Sequence, residues 1–284
     1  MARIGIMQGR LVPAADTRIQ YFPRDKWAEE FKLAASAGLD CIEWIYDLYG
    51  ADINPLAKDR GIDEIKSLSQ EHGIQVLSVC ADYFMDRPLV RADASDIEDR
   101  LKTLVWLMHR CHACGISRII LPFVDISRME TDAEAAGVVT VIEKALDAAG
   151  KLGVEIHLET SLAPERFVDL IDRLPHELVK INYDSGNSAA LGFHPRDEFA
   201  AYGKRVGSVH IKDRIRGGGT VPLGRGDADF PALFECLKRV GYQGDFILQV
   251  ARDVPGAEVA WARKNTVFVM DYLRAYKPGA CYGI

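Results

Sequence analysis

The sequence lacks the features that mark membrane, secreted and nucleic-acid-binding proteins. No apolar run approaches the roughly 20 residues needed to cross a bilayer, and no apolar signal-peptide core follows the first methionine. Six cysteines among 284 residues do not suggest a disulfide framework, so we expect reduced thiols in a cytoplasmic protein. A formal net charge of -6 gives no general attraction for nucleic acid or anionic membranes, and neither is an expected partner.

A strand followed by a helix is the pattern that repeats along the chain. Short apolar, β-branched runs typical of strands in a parallel sheet lie at residues 3–8, 40–45, 74–80, 117–122, 153–159, 178–184, 206–211 and 245–250. Apolar stripes with helical spacing lie at 24–37, 96–114, 132–152, 164–174, 229–240 and 257–274. Eight strands with helical stripes between them predict an α/β fold, a (β/α)8 TIM barrel that forms a single domain over residues 1–284.

Glycines separate several helices from the strands that follow. The glycines expected to cap helix C-termini are Gly38, Gly73, Gly115, Gly153 and Gly241. Two segments are longer than a plain strand-to-helix loop, at residues 46–60 and 212–228. In a barrel both would lie at the C-terminal face of the strands, where active sites are built.

Alternation along the last four strands predicts which side chains face the barrel interior. Each inward face carries a polar residue at its C-terminal end, whereas the outward faces are apolar and would pack on helices. The four inward ends are Glu159, Asp184, His210 and Gln249. Because these groups are costly to bury unpaired, we predict that they bind one divalent metal ion. Three oxygens and one nitrogen suit Mn²⁺ or Mg²⁺, with Co²⁺ or Zn²⁺ as alternatives; a metal-free hydrogen-bonded network is the other interpretation.

Six short motifs occur in order along the chain. They are Met7-Gln8-Gly9-Arg10-Leu11, Ile42-Glu43-Trp44, Leu158-Glu159, Asp184-Ser185-Gly186-Asn187, Val209-His210-Ile211-Lys212-Asp213 and Gly224-Arg225-Gly226-Asp227. In this order they resemble the xylose-isomerase-like barrel superfamily, in particular the sugar phosphate isomerase/epimerase family with its ketose 3-epimerases. The resemblance implies metal ligands at Glu159, Asp184, His210 and the position of Gln249. It also implies a homodimer or homotetramer.

Two positions depart from the pattern of the family. The ligand on the eighth strand is usually a glutamate, and in the 3-epimerases it forms an acid/base pair with the glutamate of the fifth strand. Here it is Gln249, whose amide can ligate through oxygen but cannot exchange a proton. The family often has a substrate-binding histidine where this chain has Asn187. A two-glutamate mechanism is therefore not expected, and isomerisation with Glu159 as the single base is easier.

Two residues near the predicted ligands are further candidates for the substrate site. Glu43, at the end of the second strand, would either bind substrate hydroxyls, act as a second base, or pair with an arginine such as Arg10. His157 lies one layer below Glu159, and we expect it to orient that carboxylate more than to touch substrate.

Basic residues in the glycine-rich segment after the seventh strand are candidates for binding an anionic group of the substrate. Lys212, Arg214, Arg216 and Arg225 cluster there, where glycines would let backbone N–H groups approach a phosphate or carboxylate. The alternative interpretation is a solvated basic loop.

The predicted site and the resemblance imply a divalent-metal-dependent isomerase or epimerase of a small sugar, sugar acid or sugar phosphate. The reaction would pass through an enediolate with Glu159 as base. One alternative is a dehydratase of a keto-sugar or keto-inositol on the same metal site; another is a catalytically impaired sugar-binding barrel. An abasic-site endonuclease shares the fold but needs many histidines and a basic groove, which seven scattered histidines and a net charge of -6 do not supply.

Overall fold

The computed structural model describes residues 2–15 and 18–275, and eight parallel strands close a barrel at its centre. The strands are β1 (Ile4–Met7), β2 (Cys41–Ile45), β3 (Gln75–Cys80), β4 (Arg118–Phe123), β5 (Glu155–Thr160), β6 (Val179–Asp184), β7 (Val206–Ile211) and β8 (Phe246–Leu248). Each strand pairs with its neighbour in chain order, and β1 closes the ring on β8. The predicted single-domain (β/α)8 barrel is confirmed.

Helices fill the connections between the strands. They are α1 (Glu29–Ala37), α2 (Asp59–His72), α3 (Tyr83–Asp86), α4 (Ala94–Cys114), α5 (Asp132–Leu152), α6 (Pro164–Asp172), α7 (Ser185–Leu191), α8 (Pro195–Tyr202), α9 (Phe230–Val240) and α10 (Glu258–Ala275). The five glycines predicted to cap helices all do so in the left-handed conformation. Among the described helices, none combines the length and apolar character that a bilayer crossing requires.

Helix boundaries differ from the predicted ones where a cap or a turn intervenes. α1 begins at Glu29 rather than at residue 24, because residues 24–28 form turns. The predicted helical ranges do not include α2, α3, α7 or α8. α7 begins directly after β6, where the Asp184 carboxylate accepts hydrogen bonds from the N–H groups of Gly186 and Asn187, both at 2.8 Å. A side-chain cap of this kind satisfies helix N–H groups that would otherwise have no partner.

The two faces of each strand have different environments. Outward side chains are apolar and pack under the helices; Trp44 on β2, for example, packs against Phe22, Trp27 and Phe31. At the N-terminal end of the barrel, Asp245 forms ion pairs with Arg118 and Arg3. These charges occupy the N-terminal end of the barrel. The predicted site residues lie at the opposite, C-terminal mouth.

Candidate metal centre

Three of the predicted ligands meet at the C-terminal mouth of the barrel. Glu159 lies on β5, Asp184 ends β6 and His210 lies on β7. All three are buried. One ligand atom from each residue lies within 4.8 Å of the others, and the group has the composition of a metal-binding cluster.

The imidazole of His210 is held so that one ring nitrogen faces the two carboxylates. Its Nε2 lies 2.7 Å from Glu43 Oε1, and Ser78 Oγ donates to Glu43 Oε2 at 2.6 Å. Nδ1 lies 3.2 Å from Glu159 Oε2 and 3.9 Å from Asp184 Oδ2. A metal-ligating histidine commonly donates its other N–H to a carboxylate. With Nε2 at Glu43, Nδ1 is the ring nitrogen that could bind a metal ion, and Glu43 orients the ring.

Glu43 contacts a histidine and a serine in the structure. Its side chain is fully buried, against His210 and Ser78. It is not paired with Arg10, whose guanidinium donates instead to the carbonyls of Val250 and Ile19. The prediction was incomplete because strand alternation gives the inward direction of a side chain but not its partner across the barrel.

The charges around His210 shift the protonation equilibria of the site. Burial works against a charged imidazole, but Glu43 and Glu159 outweigh it and raise the pKa of His210 to about 10. Burial likewise acts to raise the pKa of Glu43 and of Glu159, but contacts with His210 hold both below their usual values. A proton on Nδ1 faces Glu159. A deprotonated Nδ1 has one lone pair, which can accept a hydrogen bond from the Asn182 amide nitrogen at 3.0 Å or bind a metal ion.

Two amide groups fix the carboxylate of Glu159. Asn187 Nδ2 donates to Oε1 at 2.6 Å and Asn182 Nδ2 donates to Oε2 at 2.8 Å. Asn182 is itself held by Ser208, whose Oγ donates to its Oδ1 at 2.6 Å. The base candidate is therefore held in one orientation at the mouth while keeping lone pairs for a further partner.

His157 lies below this network and does not contact Glu159. Its Nδ1 lies 2.7 Å from Ser208 Oγ and its Nε2 lies 2.8 Å from Glu155 Oε2. Both ring nitrogens thus have protein partners, and the residue is fully buried. The structure does not bring His157 to the substrate side; it connects to Glu159 only through Ser208 and Asn182.

Gln249 follows β8 directly, and among the described residues only the nitrogen of its side-chain amide has a hydrogen-bond partner. Its Nε2 donates to Gln20 Oε1 at 2.9 Å, and Gln20 Nε2 donates to Asp82 Oδ2 at 2.7 Å. The Gln249 Oε1 atom is buried and has no hydrogen-bond partner among the described residues. A buried carbonyl oxygen without a partner is costly, and a divalent cation would satisfy it.

The donors present fit a divalent cation. Two carboxylates and one imidazole nitrogen converge, and Gln249, the fourth predicted ligand, has a buried amide oxygen with no partner among the described residues. Burial and the charge of Glu159 raise the pKa of Asp184 above its usual value. Lys212, whose Nζ lies 3.4 Å from Asp184 Oδ2, acts in the opposite direction but does not outweigh them. The excess of buried negative charge is of the kind that a bound cation balances.

The basic loop after β7 divides into residues that face the site and residues that do not. Asn187 Oδ1 accepts hydrogen bonds from Lys212 Nζ at 3.2 Å and from Arg214 Nη1 at 2.8 Å. Arg216 and Arg225 are exposed, and the Arg216 guanidinium packs beside Gly192 at the end of α7. The structure therefore brings Asn187 and Lys212, but not Arg216 and Arg225, to the predicted ligands.

A buried carboxylate organises the same loop. Asp213 Oδ2 accepts hydrogen bonds from the backbone N–H groups of Gly224, Arg225 and Gly226 at 2.8, 3.1 and 2.9 Å. A Cβ on Gly226 would lie 2.2 Å from Asp213 Oδ1. The Gly224-Arg225-Gly226-Asp227 motif thus has a structural reason, since only glycine lets the backbone approach this carboxylate so closely.

Two polar residues of the mouth were missed by the analysis of the sequence. Asp82 lies two residues after β3 and is buried, and Gln20 lies in the loop after β1. The rule applied to the last four strands would give Cys80 at the end of β3; Asp82 shares its alternation but lies beyond the strand. No comparable signal marks Gln20, because loop residues have no periodicity.

Known proteins share both the sequence pattern and the fold. The sequence model of the xylose isomerase-like TIM barrel family matches residues 31–272. The L-ribulose-5-phosphate 3-epimerase UlaE of Escherichia coli O157:H7 is 27% identical over 251 residues, which cover 84% of this chain and 87% of that protein. UlaE of Salmonella paratyphi A is 25% identical over 249 residues, with the same coverage.

Solved structures support the same fold assignment. A structure of L-ribulose 3-epimerase superposes with a TM-score of 0.76 at 18% identity, covering 97% of this chain and 96% of that one. The zinc-containing structure of the IOLI protein gives a TM-score of 0.74 at 20% identity, covering 97% and 99%. At these identities the likeness concerns the fold alone. Because the family model matches residues 31–272, which is most of this chain, the chain belongs to the xylose isomerase-like TIM barrel family.

Proposed function

We propose that this protein is a divalent-metal-dependent isomerase or epimerase that acts on a small sugar or sugar phosphate through an enediolate, with Glu159 as the base. The observation that carries the proposal is the convergence of Glu159, Asp184 and His210 at the barrel mouth. The names of the UlaE relatives, L-ribulose-5-phosphate 3-epimerases, favour a ketose phosphate as the first substrate to test.

A divalent cation, for which we propose Mn²⁺ or Mg²⁺, would supply positive charge that favours an enediolate. Glu159, Asp184, His210 and Gln249 would hold it. The donors are mainly oxygen, which suits these two ions better than softer metals.

Each residue of the site has a defined part in the proposed reaction. The amides of Asn182 and Asn187 hold the Glu159 carboxylate in one orientation. In the metal-free site, contacts with His210 also keep the pKa of Glu159 below its usual value, so that Glu159 is ionised at neutral pH. Lys212 has its ammonium beside Asn187 and Asp184. It is placed to bind a substrate oxygen or to stabilise developing negative charge.

The test is solvent isotope exchange. Protein purified without chelator and loaded with Mn²⁺ is incubated in D₂O with L-ribulose 5-phosphate and with a panel of unphosphorylated ketoses. We expect deuterium at the carbon next to the carbonyl and an isomeric product of unchanged mass. Glu159→Gln should lower exchange by about 10²–10⁴-fold, as expected for loss of a positioned base, whereas Glu165→Gln on the surface of α6 should not.

Two outcomes would contradict the proposal. Full activity after exhaustive chelation would exclude the metal, and exchange by Glu159→Gln at the wild-type rate would exclude Glu159 as the base. A product lighter by one water would assign the site to a dehydratase on the same scaffold.

A further inference from the structure

The barrel mouth carries a buried carboxyl group that the proposed reaction has not yet used. Asp82 lies two residues after the end of β3, at the same end of the barrel as Glu159. Only 8% of its surface is exposed. An epimerisation requires two proton-exchanging groups, one on each side of the reacting carbon, and the amide of Gln249 cannot be one of them.

We propose that Asp82 is this second acid–base residue and exchanges a proton with the substrate carbon from the side opposite Glu159. The inference rests on the proposed function and chooses the epimerase over the isomerase, because a protein with two such carboxyls can invert a carbon.

The contacts of Asp82 leave it able to carry a proton. Oδ2 accepts a hydrogen bond from Gln20 Nε2 at 2.7 Å, and Oδ1 accepts one from the Cys80 thiol at 3.2 Å. Among the described residues, no lysine or arginine forms an ion pair with it; Arg10, whose charge is near, contacts Gln20 instead. A carboxyl that is buried without a paired cation tends to hold its proton.

A line of hydrogen bonds places Asp82 beside the strand position where the family has its second glutamate. Gln249 Nε2 donates to Gln20 Oε1 at 2.9 Å, so a single amide separates Gln249 from Asp82. Glu159 lies on β5, which is separated from β8 by β6 and β7 in the ring, and it is held from β6 and α7 by Asn182 and Asn187. A substrate bound between β5 and β8 would therefore have Glu159 on the β5 side and Asp82, linked through Gln20 to Gln249, on the β8 side.

The electrostatics agree with Asp82 as the proton donor and Glu159 as the proton acceptor. Burial, together with the charges of Asp47 and Glu159, raises the pKa of Asp82 to about 6 against the hydrogen bonds from Gln20 and Cys80. The group therefore titrates near neutral pH, where a carboxyl can give up a proton and take it back. Carboxyl groups whose environments push their pKa values apart are a recurrent sign of acid and base assignments.

The proton balance of the step is closed. Glu159 takes the proton from the substrate carbon as the C–H bond breaks, and the electron pair moves into the enediolate. Asp82 then gives its proton to the other side of that carbon, forming a new C–H bond and restoring the carbonyl. One proton is removed and one is added, no oxidant or reductant is consumed, and both carboxyls return to their starting states by exchange with solvent.

The experiment separates proton removal from inversion. Mn²⁺-loaded wild type, Asp82→Asn and Asp82→Glu are incubated in D₂O with the ketose or ketose phosphate that the wild type converts. We expect Asp82→Asn to exchange deuterium into the starting epimer within a few-fold of the wild-type rate while inversion falls by about 100-fold or more. Asp82→Glu should recover part of the inversion, and Asp86→Asn, on the exposed side of α3, should behave like wild type.

The double variant Asp82→Asn/Gln249→Glu guards against a purely structural explanation. If the loss in Asp82→Asn is the loss of an acid, a carboxyl at position 249, which Gln20 links to Asp82, should restore inversion. Inversion by Asp82→Asn at the wild-type rate would overturn the proposal, as would loss of exchange and inversion together in a variant with unchanged melting temperature and metal content. If the wild type itself neither exchanges nor inverts any ketose, the proposed function fails and the inference about Asp82 falls with it.

Discussion

His210 Nε2 lies 2.7 Å from Glu43 Oε1, and both side chains are fully buried. This contact fixes the plane of the imidazole and leaves Nδ1 as the only ring nitrogen that can face a metal ion. A carboxylate behind a ligating histidine orients the ring and raises its basicity. Glu43 is thus a positioning residue for His210.

Replacing Glu43 should weaken metal binding without removing a ligand. Glu43→Ala removes the acceptor of the Nε2–H group, and we expect Mn²⁺ affinity to fall by about 10–100-fold. Glu43→Gln keeps an acceptor oxygen and should lose less. Mn²⁺ titration by isothermal calorimetry measures both, and Glu30→Gln, in which an equally buried carboxyl that contacts Gly9 and Leu11 is altered, is the matched control. Unchanged affinity in Glu43→Ala would contradict the assignment.

Metal binding should release a proton from His210. Because Glu43 and Glu159 outweigh burial and raise the pKa of the metal-free imidazole to about 10, the ring is protonated at pH 7.5 and must lose that proton before Nδ1 can ligate. Calorimetric Mn²⁺ titrations in buffers with different ionisation enthalpies should give about one proton released per metal. A value near zero would mean that the metal-free imidazole is neutral.

The same shift sets the pH dependence of the metal-free fold. Since the folded pKa lies above the ordinary value of 6.5, the stabilisation from charged His210 is complete below about pH 6.5 and is lost as the pH rises through about 10. The melting temperature of the metal-free protein should fall over this interval. His210→Gln should lack the part of this decrease that comes from His210. An equal decrease in melting temperature in the variant would contradict the assignment to His210.

The two groups of basic residues after β7 should differ in their effect on KM. Arg214 contacts Asn187 at the site, so Arg214→Ala should raise KM for an anionic substrate by about 10-fold, from the loss of a charge-assisted hydrogen bond. The expectation from sequence assigns this effect to Arg216 and Arg225, which are exposed. Steady-state kinetics of the three alanine variants decides between them; no change in any would mean that the loop is solvated surface.

Gly226 should be intolerant of a side chain, in contrast to Gly219. Gly226→Ala places a Cβ against the Asp213 carboxylate, so the loop must shift and the buried carboxylate loses backbone donors. We expect a loss of about 1–3 kcal/mol in unfolding free energy, measured by urea denaturation, and a higher KM because Lys212 flanks Asp213. Nothing lies within 4 Å of a Cβ at Gly219, so Gly219→Ala should change neither. Equal effects of the two substitutions would contradict this account.

The elements of the barrel could be predicted where their pattern is local. β7 and α5 have the predicted bounds, 206–211 and 132–152, because a strand alternates with period two and a long helix buries one stripe. α7 escaped prediction because its seven residues carry no apolar stripe and its first turn is held by the side chain of Asp184.

The partners of the site residues could not be predicted, because they depend on how the strands are staggered. The pairing of β2 with β3 shifts between Ile42 and Glu43, and that of β6 with β7 shifts between Ile181 and Asn182. Each shift changes which inward residues share a layer of the barrel. Alternation therefore gives the inward direction of Glu43 without showing that it lies behind His210.

The line from Gln20 to Gln249 joins residues 229 positions apart in the chain. During synthesis Gln20, Glu43 and Asp82 leave the ribosome long before Gln249, the last of the four candidate ligands. A nascent chain that ends before β8 has the supporting groups and three ligands but no closed ring to set the spacing between them. Retention of a metal ion would therefore indicate that the ring of strands is complete. We expect a chain truncated before Phe246 not to retain the ion.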